Sequence, residues 1–276
     1  MSDWNPEHYG QYAGERSRPY GDLVRRVGAR RPQRVADLGC GSGELTASLR
    51  QVWPTAEIVG VDSSPAMIAK ARTIRGVDDL RFLERDLQDW RPDHGTDVVI
   101  SNAALQWVPE HRKLLPGLVE RLSTDGWLAF QVPGNFAEPS HVLLHELAGT
   151  EPYASYTEGL ARPASAEPAE YLADLTALGC TVDAWETTYL HVLGGEDPVF
   201  TWVSATGARP ILQALPDELR ETFETEYKER LRAAYPEQPY GTVLPFRRIF
   251  VVAQRTSVET VAQRTSDEKV LQQDGS

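Results

Sequence analysis

Arg34-Val35-Ala36-Asp37-Leu38-Gly39-Cys40-Gly41-Ser42-Gly43 is a short apolar run that ends in an acid and then in alternating glycines. Further on, Ile58-Val59-Gly60-Val61-Asp62 is a second apolar run that also ends in an acid. Glycines at 39, 41 and 43 let a backbone turn sharply off a buried strand and approach a ligand closely, because no Cβ stands in the way. A dinucleotide loop spaces its glycines Gly-x-Gly-x-x-Gly and cradles a pyrophosphate at a helix start. Here the spacing is Gly-x-Gly-x-Gly, and Asp37, two residues upstream, would repel a pyrophosphate. No Gly-Lys-Ser/Thr follows, which excludes a nucleoside triphosphate loop. Carboxylates at two strand ends suit a ligand that carries a cation and a vicinal diol.

Outward from this stretch, apolar runs alternate with helical patterns, as in a parallel sheet covered on both faces. Strands are predicted over 34–38, 57–62, 80–85, 97–101 and 127–132, rich in Val, Ile, Leu or Phe as buried parallel strands are. Helices are predicted over 44–52, 65–74 and 110–122; the second opens with Ser63-Ser64-Pro65, a cap followed by proline in the first turn. Residues 182–192 and 248–254 read as two later strands, too far apart for a hairpin turn. Between them Leu219, Phe223, Tyr227 and Leu231 recur every four residues and mark one face of a long helix. The expected organisation is a cover segment (1–30), a ligand-binding α/β domain (31–192), a helical substrate-binding insertion (193–247) and a last strand (248–255). In the tail (256–276) the hexapeptide that begins at Val252 recurs from Val261, and little is available to bury, so disorder is expected there.

The 276 residues carry a net charge of −12 and are 41% apolar. That balance argues against nucleic acid or an anionic membrane as partner. It also means that an anionic substrate needs arginines concentrated locally. No apolar run reaches the roughly 18 residues of a membrane helix, and Met1-Ser2-Asp3-Trp4-Asn5-Pro6 lacks the basic-then-apolar pattern of a signal peptide. A cytoplasmic protein is expected. Cys40 and Cys180 are too few for a disulfide framework and read as buried reduced thiols. No paired Cys or His-Glu spacing points to a metal.

Taken in order, these motifs resemble those of the class I S-adenosylmethionine-dependent methyltransferases. Asp37-x-Gly39-x-Gly41-x-Gly43 matches the first motif of that superfamily. The resemblance implies a Rossmann-like α/β fold: a seven-stranded, mostly parallel sheet with an antiparallel last strand and a helical insertion between strands six and seven. It also implies S-adenosylmethionine as cofactor. Asp62 then holds the ribose hydroxyls, with Ser63 and Met67 beside it. Asp86 and Leu87 stand at the adenine, and Asn102, opening Asn-Ala-Ala-Leu-Gln-Trp, lies where the fourth strand faces the methyl group. Arg18 joins the same cofactor-binding set.

The N-terminal segment narrows the resemblance. Trp4-Asn5-Pro6, Tyr9, Tyr12 and Glu15-Arg16-Ser17-Arg18-Pro19 read either as an amphipathic helix over the sheet edge or as a cover whose Arg16 or Arg18 binds a carboxylate. With Glu138-Pro139-Ser140-His141, Trp202-Val203-x-Ala205-Thr206-Gly207-x-Arg209-Pro210 and Phe246-Arg247-Arg248-Ile249, the chain is similar to the trans-aconitate methyltransferase family from residue 1 to about 255. That resemblance implies esterification of one carboxylate of a small tricarboxylate. A carboxylic acid with a pKa of about 4 is ionised at neutral pH, so no general base and no catalytic side chain are required. Arginine forks suit the remaining carboxylates. The candidate substrate-binding residues are Tyr9, Tyr12, His141, Arg162, Trp202, Arg209 and Arg247, with Arg248 and His191 nearby and Tyr240 as a second aromatic wall. A monomer acting on a small molecule is expected. Two other readings remain open: a methyltransferase for another metabolite, with a base near the methyl group, and a non-catalytic cofactor-binding module.

Overall fold

In a computed structural model that describes residues 13–76 and 79–256, eight strands form one sheet. They are β1 (Arg34–Leu38), β2 (Glu57–Asp62), β3 (Leu80–Glu84), β4 (Thr96–Asn102), β5 (Leu122–Pro133), β6 (Cys180–Leu193), β7 (Glu237–Gln238) and β8 (Gly241–Arg255). Their order is β3-β2-β1-β4-β5-β8-β6, with the two-residue β7 paired to β8. Neighbours from β3 to β5 run parallel, whereas β8 runs antiparallel to both β5 and β6. Two departures from the sequence reading concern β8. The small β7 raises the count from seven to eight, and β8 begins at Gly241 rather than at residue 248. Residues 242–247 continue the ladder with β6, and Pro245 pairs opposite Leu190 beyond the last β5 partner, Pro133. There β8 has a single neighbour, so the missing proline N–H breaks no ladder on the other side.

Side chains alternate between two buried faces. Val35, Ile58, Val98, Ile100, Ala129, Phe250 and Val252 share a core with Tyr20 and Leu23 of α1 (Ala13–Val24) and Leu49 of α2 (Glu44–Val52), on what we call the front face. α3 (Pro65–Ala71) follows β2; its N-cap Ser64 accepts from the Met67 N–H, and Pro65 opens the helix. Ala36, Leu38, Val99, Leu128, Phe130, Ile249 and Val251 face the back, against Leu118 of α4 (Leu115–Arg121). The helix predicted over 110–122 is divided, with a 3₁₀ turn over His111–Leu114 before α4. Pro116 explains the break, since proline lacks an N–H for the preceding turn.

A second core lies beyond the carboxyl ends of the strands. α5 (Pro139–Ala148) and α6 (Ala154–Thr157) leave β5, α7 (Pro168–Ala177) packs on the back face, and α8 (Pro198–Ser204), α9 (Arg209–Ala214) and α10 (Asp217–Ala234) lie between β6 and β7. Leu144, Leu147, Trp202, Phe223, Tyr227 and Leu231 pack together there. Phe223, Tyr227 and Leu231 are the buried positions of α10, and deleting such a side chain costs about 3–5 kcal/mol.

Candidate functional site

At the carboxyl end of the parallel strands every front-facing row turns from apolar to polar. β1 runs from Val35 to Asp37, β2 from Ile58 to Asp62, β4 from Ile100 to Asn102, and β5 from Ala129 to Gln131. On antiparallel β8 the same end is reached backwards, from Phe250 to Arg248. At about 4.8 Å per strand, β1 and β8 lie about 14 Å apart across the sheet, and Arg248 also stands four residues further along β8 than Val252, the residue level with Asp37. The polar row at this end is therefore oblique: it runs from carboxylates at one side through the level pair of amides, Asn102 and Gln131, to a cation at the other side, with Asp37 two residues short of that level and Arg248 two residues beyond it.

The acidic side is built by the glycine loop. The Gly39 N–H donates to the Val61 carbonyl at 2.7 Å and the Gly41 N–H to Asp62 Oδ2 at 2.9 Å, tying the loop to β2. Gly39 has φ 75°, and a Cβ there would stand 2.1 Å from the Ala104 Cβ, so only glycine fits. Gly41 also has a positive φ, but its missing Cβ would enter open space. Asp62 Oδ1 accepts from the Ser64 N–H at 2.8 Å, while burial raises the Asp62 pKa against those donors. Asp37 is 2% exposed. Its Oδ2 accepts from Thr46 Oγ1 at 2.6 Å and from the Tyr20 hydroxyl at 3.3 Å, yet desolvation pushes its pKa up to about 6. A buried carboxylate with a raised pKa is stabilised by an incoming cation.

Other expected cofactor contacts gather near the loop. Ser63 is half-buried beside Asp62, and Met67 is buried in the first turn of α3. Leu87 Cδ1 lies 3.9 Å from where a Gly39 Cβ would stand, and Asp86 Oδ1 accepts from the Gln88 N–H at 2.8 Å, which fixes the turn after β3. Asn102 Oδ1 is buried without a hydrogen-bond partner. The next residue, Ala103, has φ 55° and donates its N–H to the Gln131 carbonyl at 2.8 Å. Arg18 sits at the rim, with its guanidinium 5.0 Å from the Tyr189 ring and 4.0 Å from Asp22.

The basic side corrects the sequence reading. Arg247 points to the back face and is bound there by Glu167 and Glu186, so it is not in the row. Its neighbour Arg248 takes the front: it is 4% exposed, donates to Gln131 Oε1 at 2.8 Å and lies 4.6 Å from the Phe246 ring. Phe246 neighbours Trp202, which stacks on His191 at 4.7 Å, so these aromatics wall the basic side. His141 is buried, with Nε2 2.9 Å from where a Gly207 Cβ would stand, two residues before Arg209 opens α9. Burial lowers the His141 pKa to about 4, so its ring is neutral at pH 7. Arg162 is exposed, and its charge adds to burial in lowering the His145 pKa. Tyr240, 67% exposed at the start of β8, forms no wall. Tyr9 and Tyr12 lie outside the described residues. Tyr20, Thr46 and Gln131 were missed from the sequence; a lone glutamine in the apolar run over 127–132 was a signal for the last. A separate cavity of about 200 Å³ near Arg34, Trp90 and Arg91 holds none of these groups.

Comparison with known proteins identifies the family. Residues 12–173 match the methyltransferase domain family. A trans-aconitate 2-methyltransferase from Streptomyces coelicolor is 48% identical over 262 residues, covering 91% of this chain and 86% of the relative. One from Mycobacterium tuberculosis is 46% identical over 255 residues, covering 91% and 96%. Among solved structures, the YcgJ protein from Bacillus subtilis is similar in fold, with a TM-score of 0.57 at 16% identity over 87% of this chain and 99% of that one. A phosphoethanolamine N-methyltransferase from Haemonchus contortus, solved with S-adenosylhomocysteine, gives a TM-score of 0.53 at 13% identity over 87% of this chain and 53% of that one. By these matches the chain belongs to the methyltransferase domain family and, within it, to the trans-aconitate 2-methyltransferases.

Proposed function

We propose that the protein transfers a methyl group from S-adenosylmethionine to one carboxylate of trans-aconitate, releasing the monomethyl ester and S-adenosylhomocysteine. The observation that carries this reading is the polar row itself, with Asp37 and Asp62 at one side and Arg248 at the other. A donor that is a cation and an acceptor that is an anion need that separation. The loop fits the cofactor: Gly41 leaves open space where a side chain would stand, Asp37 is a buried carboxylate suited to an ammonium, and Asn102 offers a buried acceptor. When bound, S-adenosylmethionine supplies the methyl group as an electrophile on sulfonium sulfur.

The residues of the chain then have modest chemical duties. A carboxylate is already the nucleophile at neutral pH, so no proton has to be removed. Asp37 and Asp62 orient one ligand, Arg248 and Gln131 face the other, and the walls of Trp202 and His191 exclude water. Holding reactants in line in a dry site is worth about 7–11 kcal/mol in favourable cases. One chain supplies the whole row, which supports a monomer as the working unit, and the free thiols of Cys40 and Cys180 suit the cytoplasm. The test is methyl transfer from labelled S-adenosylmethionine to trans-aconitate, cis-aconitate, citrate and isopropylmalate. Base-labile label on trans-aconitate is the expected result; label on none of the acids would refute the reading.

A further inference from the structure

We propose that Arg248 and Gln131 together form the anchor for a carboxylate that is not methylated, and so set the preference for a tricarboxylate over a dicarboxylate. This rests on the function proposed above. Arg248 has only donors, so the Gln131 oxygen, and not its nitrogen, must face the guanidinium at 2.8 Å. That fixes the amide, and Gln131 Nε2 is left buried without a hydrogen-bond partner. A buried donor without a partner costs about 1–3 kcal/mol, and a carboxylate acceptor would relieve it. Both side chains are fully or nearly buried, at 0% and 4% exposed, so the donor set is rigid rather than a solvated surface charge.

Position supports the same assignment. Gln131 is the register partner of Asn102 on β4 and of Phe250 on β8, which puts it between the cofactor side of the row and Arg248. Phe246 lies against the guanidinium and links it to Trp202. A carboxylate held there meets a planar fork plus an amide donor, whereas the acids at Asp37 and Asp62 keep the same anion away from the other side. Arg247 is one residue away and serves as control, since Glu167 and Glu186 hold it on the back face.

The experiment compares wild type, Arg248→Lys, Arg248→Met, Gln131→Leu and Arg247→Ala. Calorimetry reads the Kd of S-adenosylhomocysteine and then the Kd of trans-aconitate for that complex, without turnover. Arg248→Met and Gln131→Leu are expected to weaken trans-aconitate by about tenfold to a hundredfold, the range of a lost charge-assisted hydrogen bond. Arg248→Lys should fall between, and Arg247→Ala should stay within about threefold. The Kd of S-adenosylhomocysteine should stay within about threefold throughout, which also reports that the variants are folded. In parallel, itaconate, mesaconate and glutaconate each lack one carboxylate of trans-aconitate. For the one lacking the anchored group, wild type and Arg248→Met should bind equally weakly. If S-adenosylhomocysteine affinity falls in step with acid affinity, Arg248 holds the cofactor's own carboxylate and the proposal is overturned. Equal losses for all three dicarboxylates would overturn it too. Because the readout is binding, a wild type that binds trans-aconitate through Arg248 yet esterifies none of the acids refutes the proposed reaction and leaves the anchor standing.

Discussion

Lowering the pH should release the cofactor, and Asp37 sets where. Its carboxylate is buried, and burial outweighs the donors Thr46 and Tyr20 to bring its pKa up to about 6 in the free protein. A bound ammonium stabilises the anion and lowers that pKa, so a proton and the cofactor compete for the same group. Affinity is then flat above about pH 7 and falls by a factor of ten per unit well below pH 6. Between pH 7 and pH 5 the Kd of S-adenosylhomocysteine should rise about tenfold, or about 1.4 kcal/mol. Three neighbours do not supply this effect. Tyr20 and Cys40 have raised pKa values and stay protonated, and His141, with a pKa of about 4, stays neutral through the window. Asp62 is also raised, so the profile must be measured in Asp37→Asn, in which the Asp37 component is gone. Calorimetry in two buffers of different ionisation enthalpy near pH 5.5 should show a proton released on binding by wild type. Affinity that is level from pH 7 to pH 5, or a proton release retained in full by Asp37→Asn, would refute the argument.

Other consequences follow from the same contacts. Asp37→Asn should stabilise the free protein at pH 7.5: a carboxyl whose folded pKa is raised stabilises the fold below pH 3.8 and loses that contribution as pH rises to about 6. The gain, roughly 1–3 kcal/mol, should appear in urea unfolding and vanish at pH 4. Thr46→Val removes the donor that lowers the Asp37 pKa most, so the pH midpoint for cofactor binding should move upward. Gly41→Ala should fold with a backbone cost of about 1 kcal/mol but bind S-adenosylhomocysteine at least about tenfold more weakly, because its Cβ enters the open space of the loop. Gly43→Ala should fail at folding instead, since its Cβ would meet Phe82 at 2.6 Å and Ala71 at 2.9 Å; the thermal midpoint distinguishes the two.

The acidic side of the site was legible in the sequence because its signals are local. A strand that ends in Asp37 and runs into Gly39, Gly41 and Gly43 states its own geometry, and Asp62 closes a second strand in the same way. The basic side was not. β8 is buried on both faces, so Phe246, Phe250 and Val252 look no different from Ile249 and Val251, and period two cannot say which of Arg247 and Arg248 faces a ligand. The choice is made by Glu167 and Glu186, distant in sequence, which hold Arg247 at the back. Arg162 is harder to place for a related reason: an arginine in an irregular stretch carries no period at all. Helix ends failed where proline intervened, as at Pro116, and β8 is longer than its sequence reading because Pro245 is tolerated where the strand pairs on one side only.

The central claim is that one sheet edge holds a cation-binding side and an anion-binding side across Asn102. A crystal structure of the protein with S-adenosylhomocysteine and trans-aconitate tests it most directly. The account predicts the cofactor's ammonium at Asp37, one substrate carboxylate on Arg248 and Gln131, and another with an oxygen turned toward the cofactor sulfur above Asn102. Trans-aconitate bound away from Arg248, or the cofactor's own carboxylate seated on it, would contradict the account.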